Sequence, residues 1–154
     1  SQLDRFMIKL SMGYPDPASE IAILKDRQGA NPLNDVKQVV DGKDIVMMQE
    51  ETDNLHMDDA IIEYITMLSF ATRQNPLIEL GVSPRGSIAL AGMSKAKAYI
   101  SGRTYVTPED VQRIFKDVAG HRIILNPRAK ISSVTIDEVI DNIFRTVPVP
   151  RAMR

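Results

Sequence analysis

The sequence contains no cysteine in 154 residues, which leaves no disulfide framework and no thiolate metal site. Histidine is nearly as scarce. His56 and His121 lie too far apart in sequence to form a local metal motif, so each is read as structural. Charge of one sign is missing as well: 19 Lys+Arg stand against 20 Asp+Glu, a net charge of -1. That excludes nucleic-acid binding by a broadly basic surface, though not by a local cluster. No run approaches the ~20 apolar residues of a membrane span, and no signal peptide is visible, so a cytoplasmic protein is the expectation. The signatures of a self-contained enzyme are also missing. GxxxxGK[ST] has no match, no nucleophile–base pair stands out, and Glu50, Glu51, Asp53, Asp58 and Asp59 read as solvated helix ends. There is no internal repeat. The opening Ser1-Gln2-Leu3 has no initiator methionine, and the chain reads as a piece of something longer.

What remains is a run of amphipathic helices. Residues 3–10 are apolar and bounded by Gly13-Tyr14-Pro15, which suits a strand or an ordered edge segment. Helices are predicted over 17–27, over 41–52 with Ile45, Met48 and Thr52 on one face, and over 57–73. In the last of these, Ile61, Ile65 and Leu68 make one apolar row, and Tyr64, Met67 and Ala71 another. So wide an apolar arc marks a helix central to its domain. Residues 36–40 and 121–125 read as extended, and 75–82 as a loop. A helix over 83–101 buries Ala89, Met93, Ala96 and Ile100 and stops at Gly102. The helix that Thr107 opens carries Val111, Ile114, Phe115 and Val118 on one face. The helix after Thr135 carries Ile136, Val139, Ile140, Ile143, Phe144 and Val147. Five or six helices with short connections predict an all-α helical bundle with a short extended segment at its N-terminus.

One helix start breaks a rule that the others keep. Thr107-Pro108-Glu109-Asp110 and Thr135-Ile136-Asp137-Glu138 put acids where a helix is positive. Ser83-Pro84-Arg85-Gly86 has Ser83 as N-cap and Pro84 at the first position, followed by a cation and a glycine. Bare N–H groups, a small residue and an arginine suit a polyanion. The same residues also allow a solvated arginine that reaches away from the helix end. Arg5, in "QLDRF", is a second arginine in a suggestive setting, since arginine suits bidentate phosphate contact and phosphoryl-transfer charge.

Three phrases in order, "SQLDRFMIKLSMGYPD", "GVSPRGSIAL" and "SGRTYVTPEDVQRIFKDVAGHRIIL", resemble the C-terminal part of a MoxR-type AAA+ ATPase, with the magnesium chelatase ATPase subunit a more distant relative. The resemblance implies that residues 1–14 end an α/β nucleotide-binding core, that 15–150 form the helical lid, and that 151–154 are a tail. It implies that Arg5 is an arginine finger. It also implies that Arg85, with Ser83 and Pro84, is the second sensor, which reaches the nucleotide phosphates. Gly86 departs from the expected alanine and should loosen the first turn. The phosphate-binding loop, the acidic magnesium motif and the first sensor are expected upstream of Ser1, so the chain alone should not hydrolyse ATP. The intact protein should be a Mg2+-dependent ATPase forming a ring, a hexamer, with a chaperone-like role and von Willebrand factor A domain proteins as partners. The alternative is a helical interaction or nucleic-acid-binding module without nucleotide chemistry, its basic patch drawn from Arg103, Arg113, Lys116, Arg122, Arg128 and Lys130.

Overall fold

The computed structural model describes residues 2–28 and 31–150, apart from the side chain of Pro32. The assigned tail, 151–154, lies outside the described residues. The helices are α1 (Pro17–Asp26), α2 (Gly42–Asp53), α3 (Asp59–Gln74), α4 (Pro84–Ile100), α5 (Pro108–Ala119), α6 (Pro127–Ile131) and α7 (Ile136–Thr146). Two short strands, β1 (Ile78–Leu80) and β2 (Ile124–Leu125), pair antiparallel. The all-α expectation holds.

The chain divides into two compact units, residues 1–9 with 50–154, and residues 10–49. The smaller holds α1, a 3-10 turn at Pro32–Asp35 and the first part of α2, and none of its described residues is buried. Local caps open its helices. Asp16 accepts the Ser19 N–H at 2.8 Å, and Asp41 accepts those of Lys43 and Asp44 at 2.7 and 3.0 Å. Ile45, placed on a buried face by spacing, is exposed.

The larger unit holds the core, built on α3, α4, α5 and α7. Ile61, Tyr64, Ile65 and Leu68 of α3 are buried, as are Val111, Ile114, Phe115 and Val118 of α5, and Val139, Ile140 and Ile143 of α7. Phe115 and Phe144 meet edge to face with ring centroids 5.4 Å apart. These faces follow the predicted spacing, except that Met67 points outward.

Two expectations fail for physical reasons, and a third resolves to its second alternative, an ordered segment. Residues 3–10 form no strand. They begin as a 3-10 turn at Leu3–Arg5 and continue extended, with the Lys9 N–H donating to the Asp117 carbonyl at 2.9 Å. The loop 75–82 contains β1, because β2 supplies partners that only the tertiary fold brings near. The buried face of α4 is Gly86, Leu90, Ser94 and Ala98, not Ala89, Met93, Ala96 and Ile100; Ile100 is 80% exposed. Three of those four positions are small, which lets α4 pack closely, and the buried Ser94 hydroxyl satisfies itself on the Leu90 carbonyl at 2.7 Å. Asn126-Pro127, just past the extended residues 121–125, opens a short helix, with Asn126 accepting the Ala129 N–H at 2.9 Å.

Candidate functional site

The start of α4 is fixed from two sides. On one side, the stretch before it is stitched to the end of α3. The Val82 N–H donates to the Thr72 hydroxyl at 2.9 Å, Arg73 Nε donates to the Val82 carbonyl at 2.7 Å, and the Thr72 hydroxyl donates to Ser69 at 2.6 Å. Gly81 makes this approach possible. A Cβ there would lie 2.8 Å from Arg73 N, Thr72 C and Thr72 Oγ1.

On the other side stands the turn that carries Arg5. Ser83 caps α4 by accepting the Gly86 N–H at 3.2 Å, and its hydroxyl donates to the two Asp4 carboxylate oxygens at 3.0 and 3.1 Å. The first turn of α4 has no acid of its own. Asp4, 79 residues away in sequence, supplies the negative charge that the positive helix end favours.

Asp4 is held in turn by Arg122, which is only 5% exposed. Arg122 Nε donates to Asp4 Oδ1 at 3.1 Å. Its two terminal nitrogens donate to the Asp4, Phe6 and Met7 carbonyls at 3.3, 2.6 and 3.1 Å, and to the Val118 carbonyl. All five guanidinium N–H groups thus have acceptors. His121 Nε2 meets the Phe6 carbonyl at 3.0 Å, which agrees with its structural reading; its buried Nδ1 has no partner among the described residues.

Arg5 and Arg85 are both exposed, and neither makes an ion pair among the described residues. They flank one contact. Arg5 follows Asp4, and Arg85 stands two residues after Ser83. Pro84 is exposed at the first helical position, where its missing N–H costs nothing. The Ser83 hydroxyl is occupied by Asp4 and Gly86. Among the described residues no group of histidines and acids is placed to hold a metal, and no helix is long and apolar enough to cross a membrane.

Sequence reasoning missed two members. Gly86 has a packing role. It is buried, and a Cβ there would stand 2.6 Å from Val82 Cγ1 and 3.0 Å from Arg122 Cδ, so the glycine clears a path for the arginine. Arg122, counted among surface cations, is buried; its only sequence signal is its place just before the apolar Ile123-Ile124. Of the six cations named for a basic patch, Arg122 is thus buried and two others are ion-paired. Arg103 is paired with Asp110 at 2.5 Å and Lys116 with Asp137 at 2.6 Å.

Residues 70–143 match the AAA lid domain family. Protein YeaC of Bacillus subtilis is 39% identical over 150 residues, covering 97% of this chain and 47% of that protein. Chaperone MoxR1 of Mycobacterium tuberculosis is 31% identical over 160 residues, covering 98% of this chain and 42% of that protein. A crystal structure from Cytophaga hutchinsonii, of a protein assigned as an ATPase, superposes with a TM-score of 0.87 at 30% identity, covering 97% of this chain and 48% of the other. The chain thus spans about half the length of the relatives it matches.

Proposed function

Because the chain is a C-terminal region of the MoxR family of AAA+ ATPases, its lid included, we propose that it works in an intact protein that binds and hydrolyses ATP with Mg2+. Residues 1–14 end the core there, and 15–150 form the lid. Arg5 is the finger that meets transition-state charge on the transferred phosphoryl group, and Arg85 is the second sensor on the nucleotide phosphates. Ser83 and Pro84 present Arg85 by opening its helix. The observation that carries this reading is that the two arginines, both exposed and without an ion-pair partner among the described residues, flank a single contact between Asp4 and Ser83. An exposed guanidinium with no acid paired to it favours an anion arriving from elsewhere.

The protein assembles as a ring, a hexamer, in the cytoplasm. Movement of the lid against the core on hydrolysis remodels or activates client proteins, with von Willebrand factor A domain proteins as partners. The test is turnover of the intact protein. Arg5→Ala and Arg85→Ala should each slow hydrolysis by about 100-fold or more while leaving the ring assembled. Normal turnover in either variant removes that arginine from its role.

A further inference from the structure

We propose that Arg122 is a positioning residue: acting through Asp4 and Ser83, it holds the turn bearing Arg5 and the helix bearing Arg85 in one relative geometry. The proposal rests on the nucleotide-facing reading of those two arginines.

Arg122 touches both elements. Its stem crosses the first turn of α4 where Gly86 has no side chain. Its head donates four of its five bonds to residues 4–7, namely to the Asp4 carboxylate and to the backbone carbonyls of Asp4, Phe6 and Met7. An apolar side chain could fill the same volume, and burying a guanidinium is costly. What the guanidinium adds is direction. A planar fork with every N–H engaged tolerates one placement of the segment. Asp4 then carries that placement to α4, because the hydroxyl that Asp4 accepts belongs to the residue capping the helix. Arg5 is bonded in sequence to Asp4, and Arg85 lies within the turn that Ser83 caps. Displacement at this junction moves one arginine against the other, and misplacement of a catalytic group by ~1 Å can cost about 100-fold in rate.

The test is a double-mutant cycle on ATP turnover by the intact protein. Arg122→Met would release a whole backbone segment, so Asp4→Ala carries the test. It should slow turnover about 10- to 100-fold while keeping the helical circular dichroism signal. In an Arg5→Ala background it should add no further slowing, because the geometry it guards has lost its purpose. Asp4→Asn should restore most of the lost turnover, since its side-chain oxygen can accept from both Ser83 and Arg122. A merely structural Asp4 would slow both backgrounds by the same factor, and that multiplicative result overturns the proposal. So does wild-type turnover in Asp4→Ala. If Asp4→Ala loses its helical signal, Ser83→Ala replaces it under the same outcomes. The underlying reading fails separately: Arg5→Ala and Arg85→Ala would then both turn over normally.

Discussion

Gly81 and Gly86 show how far one missing methyl group can decide a site. At Gly81 two of the three nearest atoms are backbone atoms of α3, and the third is the Thr72 hydroxyl, held by its own hydrogen bonds. Gly81→Ala should therefore cost about 1–3 kcal/mol, the range for overpacking a tight site, and lower the denaturation midpoint of this chain. An unchanged midpoint would mean that α3 and the approach to α4 are not clamped as described. Arg85→Glu tests the opposite sign. An acid on a helix N-terminus is usually worth about 0.3–1 kcal/mol. Here Asp4 already occupies the cap, so the gain should sit at the low end, about 0.3 kcal/mol, while ATP turnover of the intact protein falls. A variant that is less stable yet fully active would make Arg85 a residue of the fold. The misplaced charge of Arg85 was legible in the sequence; the role of Gly86 was not, and it read as a local weakness. Its reason, the stem of Arg122, lies 36 residues downstream.

At the scale of elements, legibility followed locality. Thr135 and Glu138 exchange the bonds their spacing announces: the Glu138 N–H reaches the Thr135 hydroxyl at 3.2 Å, and the Thr135 N–H reaches Glu138 at 2.8 Å. Caps and apolar rows are encoded within a few residues, and α5 and α7 came out as read. The buried face of α4 did not, because small residues give no hydrophobic signal, and β1 waited on a partner 44 residues away. One element also carries a pH response. Asp110, buried at the start of α5, accepts two bonds from Arg103 at 2.5 and 2.6 Å and the Thr107 N–H at 2.9 Å. Burial alone would raise its carboxyl, but the Arg103 guanidinium and the Thr107 N–H outweigh it and hold it below the usual aspartate range. A carboxyl lowered in the folded state adds stability that is fully present above the unfolded value, about 3.9. That stability is lost as pH falls through the lowered folded value. Denaturation midpoints should thus drop on acidification below about pH 4, and more steeply than in Asp110→Asn, which should already be weaker at neutral pH. Parallel pH profiles would mean that the pair adds nothing to folding.

For the whole molecule, the first expectation concerns what this chain does alone. It has no GxxxxGK[ST] loop, and such a loop supplies most of the phosphate contacts in ATPases of this kind. Calorimetry with Mg-ATP should show no submicromolar binding to these 154 residues. Tight binding would place a complete nucleotide site within them and overturn the division of labour between core and lid.

Both arginines should meet the nucleotide of a neighbouring subunit. A finger supplied in trans acts across a subunit boundary, and on that expectation Arg5 meets the neighbour's ATP. The Asp4–Ser83 bond ties the element bearing Arg5 to the one bearing Arg85 within a single chain. The pair should then serve one nucleotide, and Arg85 should act across the boundary too. Mixed rings separate the possibilities. A variant with a disabled phosphate loop, mixed with Arg5→Ala, should regain activity wherever an intact loop faces an intact finger. The same variant mixed with Arg85→Ala should recover in the same way. Arg5→Ala mixed with Arg85→Ala should stay inactive, because no boundary then has both arginines on one face. If that third mixture recovers, Arg85 serves its own subunit, and the junction at Asp4 couples two different nucleotides. If none recovers although mixed rings assemble, the finger assignment of Arg5 fails.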